Sequence, residues 1–341
     1  AARKLGFAED HPLRIQAGLL YVLQKATDDG NVFLPEEELL DQACRQLDVD
    51  RDLARQAVLA LEQEERVVRE SLDELPGRLP AVFREDGDEA EAPEVAVYLR
   101  RYHHYESRTA FYLHRLLHSP KAVRFAEPDA LVEKVTESLS ISLAPEQLEA
   151  VRTAARSKVM VLTGGPGTGK TTIINAIIRL FAEVKARILL AAPTGRAAKR
   201  MGELCDRDAQ TIHRMLGMTF NDQTGEVTFT KGEKEPLEAD ALIVDETSMV
   251  DLSLMRALLA ALRPGCRLVL VGDPDQLPSV GAGNVFSDLI RSGRIATVAL
   301  RDIFRQAEQL DREFVKTLPD GTYYAEGCLD NDNYDLEHHV K

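Results

Sequence analysis

The second half of the chain alternates between short, wholly apolar runs and longer stretches of helical periodicity. A continuous apolar run is typical of a strand that is buried on both faces, and helices between such runs connect parallel neighbours. The sequence therefore predicts an α/β fold with a parallel sheet covered by helices on both faces. The five predicted strands are 159–163, 188–192, 241–245, 268–271 and 296–300.

Residues 11 to about 72 instead show apolar positions at helical spacing, interrupted by short polar turns. One helix ends at the turn 28–31, a second begins after Pro35, and Asp50 can cap a third. The apolar pair Val67 and Val68 follows the third helix. Two interpretations of this mainly helical region remain open: a winged-helix type module, or a helical packing domain without nucleic-acid contact.

An acidic segment separates this region from the rest of the chain. Its six Asp and Glu residues between 85 and 94, interrupted by Gly87 and Pro93, predict a solvated linker. A long helix is expected over 95–117, with aromatic residues among its arginines. Such a stripe can stack on nucleic-acid bases or pack into the core. The aromatic residues are Tyr98, Tyr102, Tyr105, Phe111 and Tyr112.

These patterns divide the chain into four segments. Residues 1–84 form the predicted helical amino-terminal domain, and residues 85–140 form the acidic linker and a helical connector. Residues 141–307 hold the predicted sheet, with a β-hairpin insertion at 218–231 that is signalled by a glycine turn. The alternation is lost over 308–341, which stays unassigned.

Composition excludes several classes of protein. The 341 residues are 44% hydrophobic and 29% charged, which is the balance of a globular protein. No apolar run is long enough to span a bilayer, and no signal-peptide core is present, so we expect no membrane association. Four widely spaced cysteines argue against a zinc cluster and favour a reducing cytoplasm. The net charge of −14 disfavours general nucleic-acid binding but permits a local basic groove.

Residues 164–171 read GGPGTGKT, the spacing of a phosphate-binding loop between a strand and a helix. Glycines let backbone N–H groups surround the phosphates, and the helix N-terminus adds a favourable dipole. Lys170 is expected to reach the β- and γ-phosphates of a bound nucleotide, and the Thr171 hydroxyl to bind Mg²⁺. The predicted nucleotide-binding residues of this segment are Gly164, Gly165, Pro166, Gly167, Thr168, Gly169, Lys170, Thr171 and Thr172.

Two adjacent acidic residues follow the predicted strand 241–245. Asp245 is expected to hold the Mg²⁺, and Glu246 to act as general base on an attacking water. Adjacent carboxylates repel each other unless a cation lies beside them. The pair therefore favours a metal–nucleotide site over an exposed strand end.

Further segments make residues 140–307 resemble the superfamily-1 helicases. They are Gln147 in LAPEQ, APTGRAA at 192–198, TIH at 211–213, VGDPDQLP at 271–278 and IFRQ at 303–306. The resemblance implies a RecA-like motor domain over 141–307, with ATP and Mg²⁺ as cofactors. It implies that Gln147 reads adenine and that Gln276 and Arg305 respond to the γ-phosphate. The implied catalytic residues are Lys170, Glu246, Gln276 and Arg305.

The sequences of these motifs most resemble those of the RecD-like branch, the 5′-to-3′ DNA helicases related to the exodeoxyribonuclease V alpha subunit. Residues 5–120 also resemble the amino-terminal region of the stand-alone RecD-like type. The resemblance implies a cytoplasmic monomer that binds single-stranded DNA and its junctions with duplex, with a protein partner in repair as a further expectation. The implied strand-contacting residues are Pro193, Thr194, Arg196, Thr211 and His213.

Two features near these residues, a basic cluster and a hairpin, are interpreted separately. Arg196, Lys199 and Arg200 form a basic cluster whose phosphate contacts would position a strand without reading its sequence. The hairpin 218–231 corresponds in the family to a pin that splits the duplex. An inert surface hairpin is the alternative.

The sequence shows one RecA-like fold, whereas a complete motor of this kind needs two. We therefore expect a fragment of a longer helicase, which binds nucleotide but hydrolyses it weakly because arginines of the second fold are missing. A nucleotide- and single-strand-binding module without motor activity is the first alternative. A P-loop ATPase unrelated to nucleic acid is the second, and it leaves Thr194, Arg196 and Gln276 as coincidences.

Overall fold

The computed structural model describes residues 10–72, 94–139, 142–220 and 227–301, together with residue 8 and the strands 315–317 and 323–325. These residues form an amino-terminal module and a larger α/β domain. Within these ranges, no helix is both long enough and apolar enough to cross a bilayer.

The amino-terminal module packs three helices against a small antiparallel sheet. Its elements are α1 (Pro12–Asp28), β1 (Phe33–Pro35), α2 (Glu36–Leu47), α3 (Arg51–Gln63), β2 (Val67–Ser71) and β3 (Val95–Leu99). The strand order is β1-β3-β2. The Asp50 carboxylate accepts a hydrogen bond from the Asp52 backbone N–H, so Asp50 caps α3 as the sequence predicted. Three helices with a three-stranded sheet fit the winged-helix interpretation better than a purely helical domain.

The predicted helix over 95–117 was wrong at its start. Residues 95–99 form β3, which lies between β1 and β2 with Val97 opposite both Leu34 and Arg69. The helix that follows is α4 (Arg100–His118). Two β-branched valines favour a strand here, but the partner strands lie far away in the sequence and the local pattern does not show them. The predicted boundary at residue 84 lies outside the described residues.

The aromatic stripe of this region is largely part of the core. Tyr98 and Tyr112 are 3% and 4% exposed. Phe111 is nearly half exposed, and the Arg108 guanidinium lies over both the Phe111 and Tyr112 rings, 4.8 and 4.6 Å from their centroids. Core packing therefore accounts for most of the stripe, with Tyr98 in one apolar cluster and Tyr102, Tyr105 and Tyr112 in or against another.

The α/β domain alternates helices with parallel strands. In chain order its elements are α5 (Pro128–Glu137), α6 (Pro145–Arg156), β4 (Val159–Gly164), α7 (Lys170–Glu183), β5 (Ile188–Ala192), α8 (Gly195–Cys205), β6 (Ala209–Thr211), α9 (Ile212–Met215), β7 (Met218–Phe220), β8 (Val227–Phe229), β9 (Ala241–Val244), a 3₁₀ turn (Thr247–Met249), α10 (Leu252–Ala261), β10 (Arg267–Gly272), α11 (Val285–Arg291) and β11 (Ala296–Leu300). Six of these strands form one sheet in the order β11-β4-β10-β9-β5-β6.

Side chains of the four inner strands, β4, β10, β9 and β5, alternate between two apolar clusters, one on each face of the sheet. Val159 and Val161 of β4 pack with residues of α4 and α10, whereas Met160 and Leu162 pack with α6 and α7. Every pairing in the sheet is parallel. The predicted parallel sheet with helices on both faces is confirmed.

Two buried cations fix the connector between α4 and α5 to the sheet. The Lys158 ammonium donates to the Ser119 carbonyl at 2.7 Å. The Arg267 guanidinium donates to the Ser157 carbonyl at 2.7 Å and to the Val123 carbonyl at 3.2 Å. Burial lowers the pKa of Arg267 to about 10. Both cations thus satisfy backbone carbonyls instead of carboxylates.

Two short hairpins complete the described structure. Within the predicted insertion 218–231, β7 and β8 pair with Phe220 opposite Val227, and these two side chains are 59% and 50% exposed. The turn 221–226 lies outside the described residues. In the segment left unassigned from the sequence, β12 (Val315–Thr317) pairs with β13 (Tyr323–Ala325).

Candidate functional site: a phosphate-binding cleft

The glycine-rich loop joins β4 to the first residue of α7. Gly167 and Gly169 have φ of +81° and +85°, which side-chain-bearing residues rarely adopt. The Lys170 ammonium folds back to donate to the carbonyls of Gly164 and Gly165, the latter at 2.9 Å. Burial lowers the pKa of Lys170, although the nearby carboxylates oppose this shift. The lysine is therefore a partly desolvated cation at the centre of the loop.

Gln147, the residue expected to read adenine, is 6% exposed and supports this loop from beneath. Its amide nitrogen donates to the Thr168 carbonyl at 3.2 Å, and its amide oxygen accepts from the Ala144 N–H at 3.1 Å. A Cβ atom on Gly169 would lie 2.4 Å from the same amide nitrogen. In this structure Gln147 therefore braces the phosphate-binding loop.

The predicted acidic pair lies at the carboxyl end of β9. The Glu246 N–H donates to the Asp245 carboxylate at 2.8 Å. Burial raises the pKa of both carboxyls, and the charge of Asp245 raises that of Glu246 further. Glu246 has φ of +51° and ψ of +38°, a left-handed conformation that costs a non-glycine residue energy. Such strain is characteristic of residues whose side-chain direction matters.

Gln276 is held by a buried carboxylate at the end of β10. Asp273, which is 5% exposed, accepts from the Gln276 side-chain amide at 3.2 Å and from the Asp275 N–H at 3.1 Å. Asp273 was not among the predicted site residues, although it stands in the same motif as Gln276. Its signal is its place directly after a buried strand.

These groups surround one cleft of about 310 Å³. Sequence-predicted residues on its wall are Gly165, Pro166, Gly167, Gly169, Lys170, Thr171, Asp245, Glu246 and Gln276. Gly164, Thr168, Thr172 and Gln147 are not on the wall. Arg200 and Cys205 of α8 line the cleft and were not predicted there. Arg305 lies outside the described residues.

The donor set fits a magnesium–nucleotide complex better than a metal bound by protein alone. Among the described residues, no three His, Cys, Asp or Glu side chains are grouped to hold an ion. Mg²⁺ commonly takes one or two protein oxygens and completes its shell with phosphate and water. The Thr171 hydroxyl and the Asp245 carboxylate, both on the cleft wall, are such oxygens.

The predicted strand-contacting residues lie together at the carboxyl edge of β5 and β6. Ala192 is paired with Thr211, which brings the segment after β5 beside the start of α9. Thr194 and Thr211 cap their helices by accepting backbone N–H groups at 3.2 Å. Arg196 is exposed in the first turn of α8.

His213 lies on the hairpin side of this edge. Its ring is 6.3 Å from that of Phe229, on β8. Pro193 is half-buried between β5 and α8. The five predicted residues therefore lie at or just after the ends of β5 and β6, and one of them, His213, lies next to the hairpin.

The site has the features of a P-loop nucleotide-binding domain. A strand, a glycine-rich loop and a helix surround a lysine, and an acidic strand end lies across the cleft. The parallel sheet and its two helical layers give this domain the RecA-like fold. Comparisons with known proteins agree with this class. A family model described as an AAA domain matches residues 147–282.

The relatives are more specific. The ATP-dependent RecD2 DNA helicase of Deinococcus radiodurans is 37% identical over 303 residues, which cover 89% of this chain and 39% of that protein. The RecBCD enzyme subunit RecD of Mycolicibacterium smegmatis is 44% identical over 168 residues, covering 42% of this chain and 30% of that protein. The crystal structure of the Pif1 helicase from Candida albicans matches with 26% identity and a TM-score of 0.36, covering 51% of this chain and 42% of that one.

Over 89% of its length, the chain is thus a relative of the RecD-like superfamily-1 helicases, and the resemblance carried by its motifs is confirmed. The chain spans about two fifths or less of the length of these curated relatives.

Proposed function

We propose that this chain is the first motor domain, with its amino-terminal module, of an ATP-dependent DNA helicase that moves 5′ to 3′ along single-stranded DNA. The observation that carries the proposal is the cleft in which Lys170, Asp245, Glu246 and Gln276 meet beside the glycine-rich loop. Unwinding belongs in this proposal to a protein with two RecA-like folds, of which this chain supplies one.

Each residue of the cleft has a role that its environment supports. Bound Mg²⁺ and ATP supply the reactive phosphate and the charge that neutralises it. Lys170 would exchange its loop carbonyls for phosphate oxygens, and Thr171 and Asp245 would hold the metal. Glu246, whose pKa is raised by burial, accepts the proton of the attacking water. Gln276, held by Asp273, reports the state of the terminal phosphate to the strand-binding surface.

The strand-binding surface is formed by Pro193, Thr194, Arg196, Thr211 and His213. Its hydroxyl and guanidinium groups suit phosphate oxygens, which position a strand without reading its bases. The hairpin beside it presents the exposed apolar pair Phe220 and Val227, a surface that suits stacking against the last base pair of a duplex. We propose that this hairpin is the pin at a junction.

To test the proposal, binding and hydrolysis of ATP are measured for the wild-type chain and for Lys170→Ala, each with and without a single-stranded oligonucleotide. Magnesium-dependent binding of ATP, abolished in the variant, is the expected result, with weak turnover because the described residues form one RecA-like fold and the proposed motor needs two. Failure of the wild-type chain to bind ATP contradicts the nucleotide site. Strong DNA-stimulated turnover contradicts the need for a second fold.

Polarity and strand binding require a separate measurement. Fluorescence anisotropy with a labelled oligonucleotide is expected to show binding that weakens in Arg196→Ala. Duplexes with a single-stranded 5′ or 3′ overhang then distinguish the direction of unwinding, measured on a protein that holds both RecA-like folds. Unwinding from the 3′ overhang alone contradicts the proposed polarity.

A further inference from the structure

Three basic residues follow β5, and their side chains do not point in the same direction. They are Arg196, Lys199 and Arg200. An α-helix turns by about 100° per residue, so neighbours in sequence point to different sides, whereas residues three or four apart share a face. Lys199 points to solvent: its side chain is 78% exposed, and its ammonium lies 3.8 Å from the Glu203 carboxylate on the outer surface of α8. Arg200 lies instead on the wall of the nucleotide cleft.

The whole inner face of α8 lines that cleft. Its members recur at helical spacing, and they are Ala197, Arg200, Met201, Leu204 and Cys205. Four of the five are apolar or weakly polar. Arg200 is therefore the single cation that this helix presents to the cleft, across from the glycine-rich loop.

The guanidinium of Arg200 is free to bind a ligand. Within the described part of the chain, it forms no ion pair or hydrogen bond, in contrast to Lys199. It lies on the wall of the same cleft as the Lys170 ammonium and the Asp245 and Glu246 carboxyls. A planar guanidinium with unused donors suits bidentate binding of a phosphate group.

The other end of α8 reaches the proposed strand-binding surface. Thr194 caps the helix, and Arg196 lies one turn before Arg200, about 6 Å along the axis. A strand bound at Thr194 and Arg196 and a phosphate bound at Arg200 would therefore act on the same rigid element.

We propose that Arg200 binds the terminal phosphate of a nucleoside triphosphate and couples the cleft, through α8, to the strand-binding surface. The inference rests on the proposed function, because it assumes that the cleft holds a nucleotide. Arg200 adds to Lys170 a second cation from this same fold. It discriminates triphosphate from diphosphate, since only the triphosphate carries the group that it contacts.

The first test compares the affinities of fluorescent ADP and of a non-hydrolysable ATP analogue, with Mg²⁺ and without nucleic acid. Loss of a charge-assisted hydrogen bond in Arg200→Ala is expected to weaken the triphosphate analogue about tenfold or more, while ADP affinity changes less than about twofold. Arg200→Lys should recover part of the loss. Lys199→Ala, the adjacent residue on the outer face, is the matched control and should bind both nucleotides as the wild type does.

The second test measures coupling. In the wild type, a saturating oligothymidine is expected to change the affinity for the triphosphate analogue, and by linkage the analogue changes oligothymidine affinity by the same factor. In Arg200→Ala this factor should fall towards one, while oligothymidine affinity without nucleotide stays unchanged. Thermal unfolding of each variant shows that the fold is intact, as expected for an exposed side chain.

The outcomes separate the inference from the proposed function. Equal weakening of ADP and of the triphosphate analogue in Arg200→Ala, or an equal effect of Lys199→Ala, overturns the role of Arg200 and leaves the nucleotide site standing. A wild-type chain that binds neither nucleotide overturns the proposed function itself.

Discussion

The buried amide of Gln147 offers the sharpest test of how the phosphate-binding loop is held. Replacing it with glutamate keeps the size and the acceptor that faces the Ala144 N–H, but places an oxygen against the Thr168 carbonyl 3.2 Å away. The change removes one buried hydrogen bond and leaves the carbonyl unsatisfied. Such a loss costs about 1–3 kcal/mol, so Gln147→Glu should lower the free energy of unfolding by about 2 kcal/mol.

The loss of stability in Gln147→Glu should depend on pH. Burial and the facing carbonyl disfavour the carboxylate in the native state, so the pKa of the introduced carboxyl group is raised above its unfolded value. The protonated form can donate to Thr168 again. The destabilisation should therefore be small below the unfolded pKa, near pH 4, and complete above the raised native pKa. Urea denaturation at pH 5 and pH 8 measures the difference.

Nucleotide affinities distinguish a brace from an adenine reader. If Gln147 acts by bracing the loop, Gln147→Glu weakens ADP and GDP by the same factor. A loss for ADP alone would show that the side chain reads adenine, as the resemblance implies. Gln63→Glu makes the same charge change at an exposed position and should alter neither stability nor affinity. An unchanged free energy of unfolding in Gln147→Glu would refute the bracing argument.

Three further changes test single contacts. Gly169→Ala needs a Cβ at φ of +85°, 2.4 Å from the Gln147 amide, and should weaken ADP binding about tenfold or more by calorimetry. Arg267→Met leaves buried carbonyls without a donor and should cost about 3 kcal/mol in urea denaturation, whereas the exposed Arg263→Met should cost little. Asp50→Ala removes the cap of α3 and should lower stability by about 1 kcal/mol. Unchanged values would contradict each assignment.

The parts of the structure that the sequence predicted well are those encoded locally. The glycine-rich loop lies between a strand and a helix because glycine, lysine and the apolar run before them each favour that local conformation. The acidic pair could be placed at a strand end for the same reason, since the apolar run 241–244 ends directly before Asp245.

The features that could not be predicted depend on residues far away in the sequence, or on the side of a helix to which a residue points. The strand β3 is defined by its pairing with β1, more than 60 residues earlier in the chain, and its own five residues look like the start of α4. The carbonyls that Arg267 satisfies lie more than 100 residues away. Arg196, Lys199 and Arg200 looked like one basic cluster, and only the turn of α8 assigns Arg200 to the cleft.

Glu246 shows that the site is maintained at a cost to stability. Its left-handed backbone costs a non-glycine residue about 1–2 kcal/mol, and its carboxyl group lies beside Asp245. Asparagine tolerates this conformation better and carries no charge. Glu246→Asn should therefore raise the melting temperature of the nucleotide-free protein and abolish hydrolysis.

A second residue with left-handed backbone separates the effect of backbone strain from the effect of charge repulsion on the stability of Glu246→Asn. Lys185, with φ of +54°, is exposed just after the end of α7, so Lys185→Asn relieves backbone strain without removing a repulsion between carboxylates. The gain from Glu246→Asn should exceed the gain from Lys185→Asn at pH 8. The excess should shrink towards pH 5, because burial and Asp245 raise the native pKa of Glu246 and the repulsion ends once that carboxyl is protonated. Differential scanning calorimetry without Mg²⁺ measures both gains. A lower melting temperature for Glu246→Asn would mean that the carboxylate stabilises the fold, and the strain would then need a structural explanation.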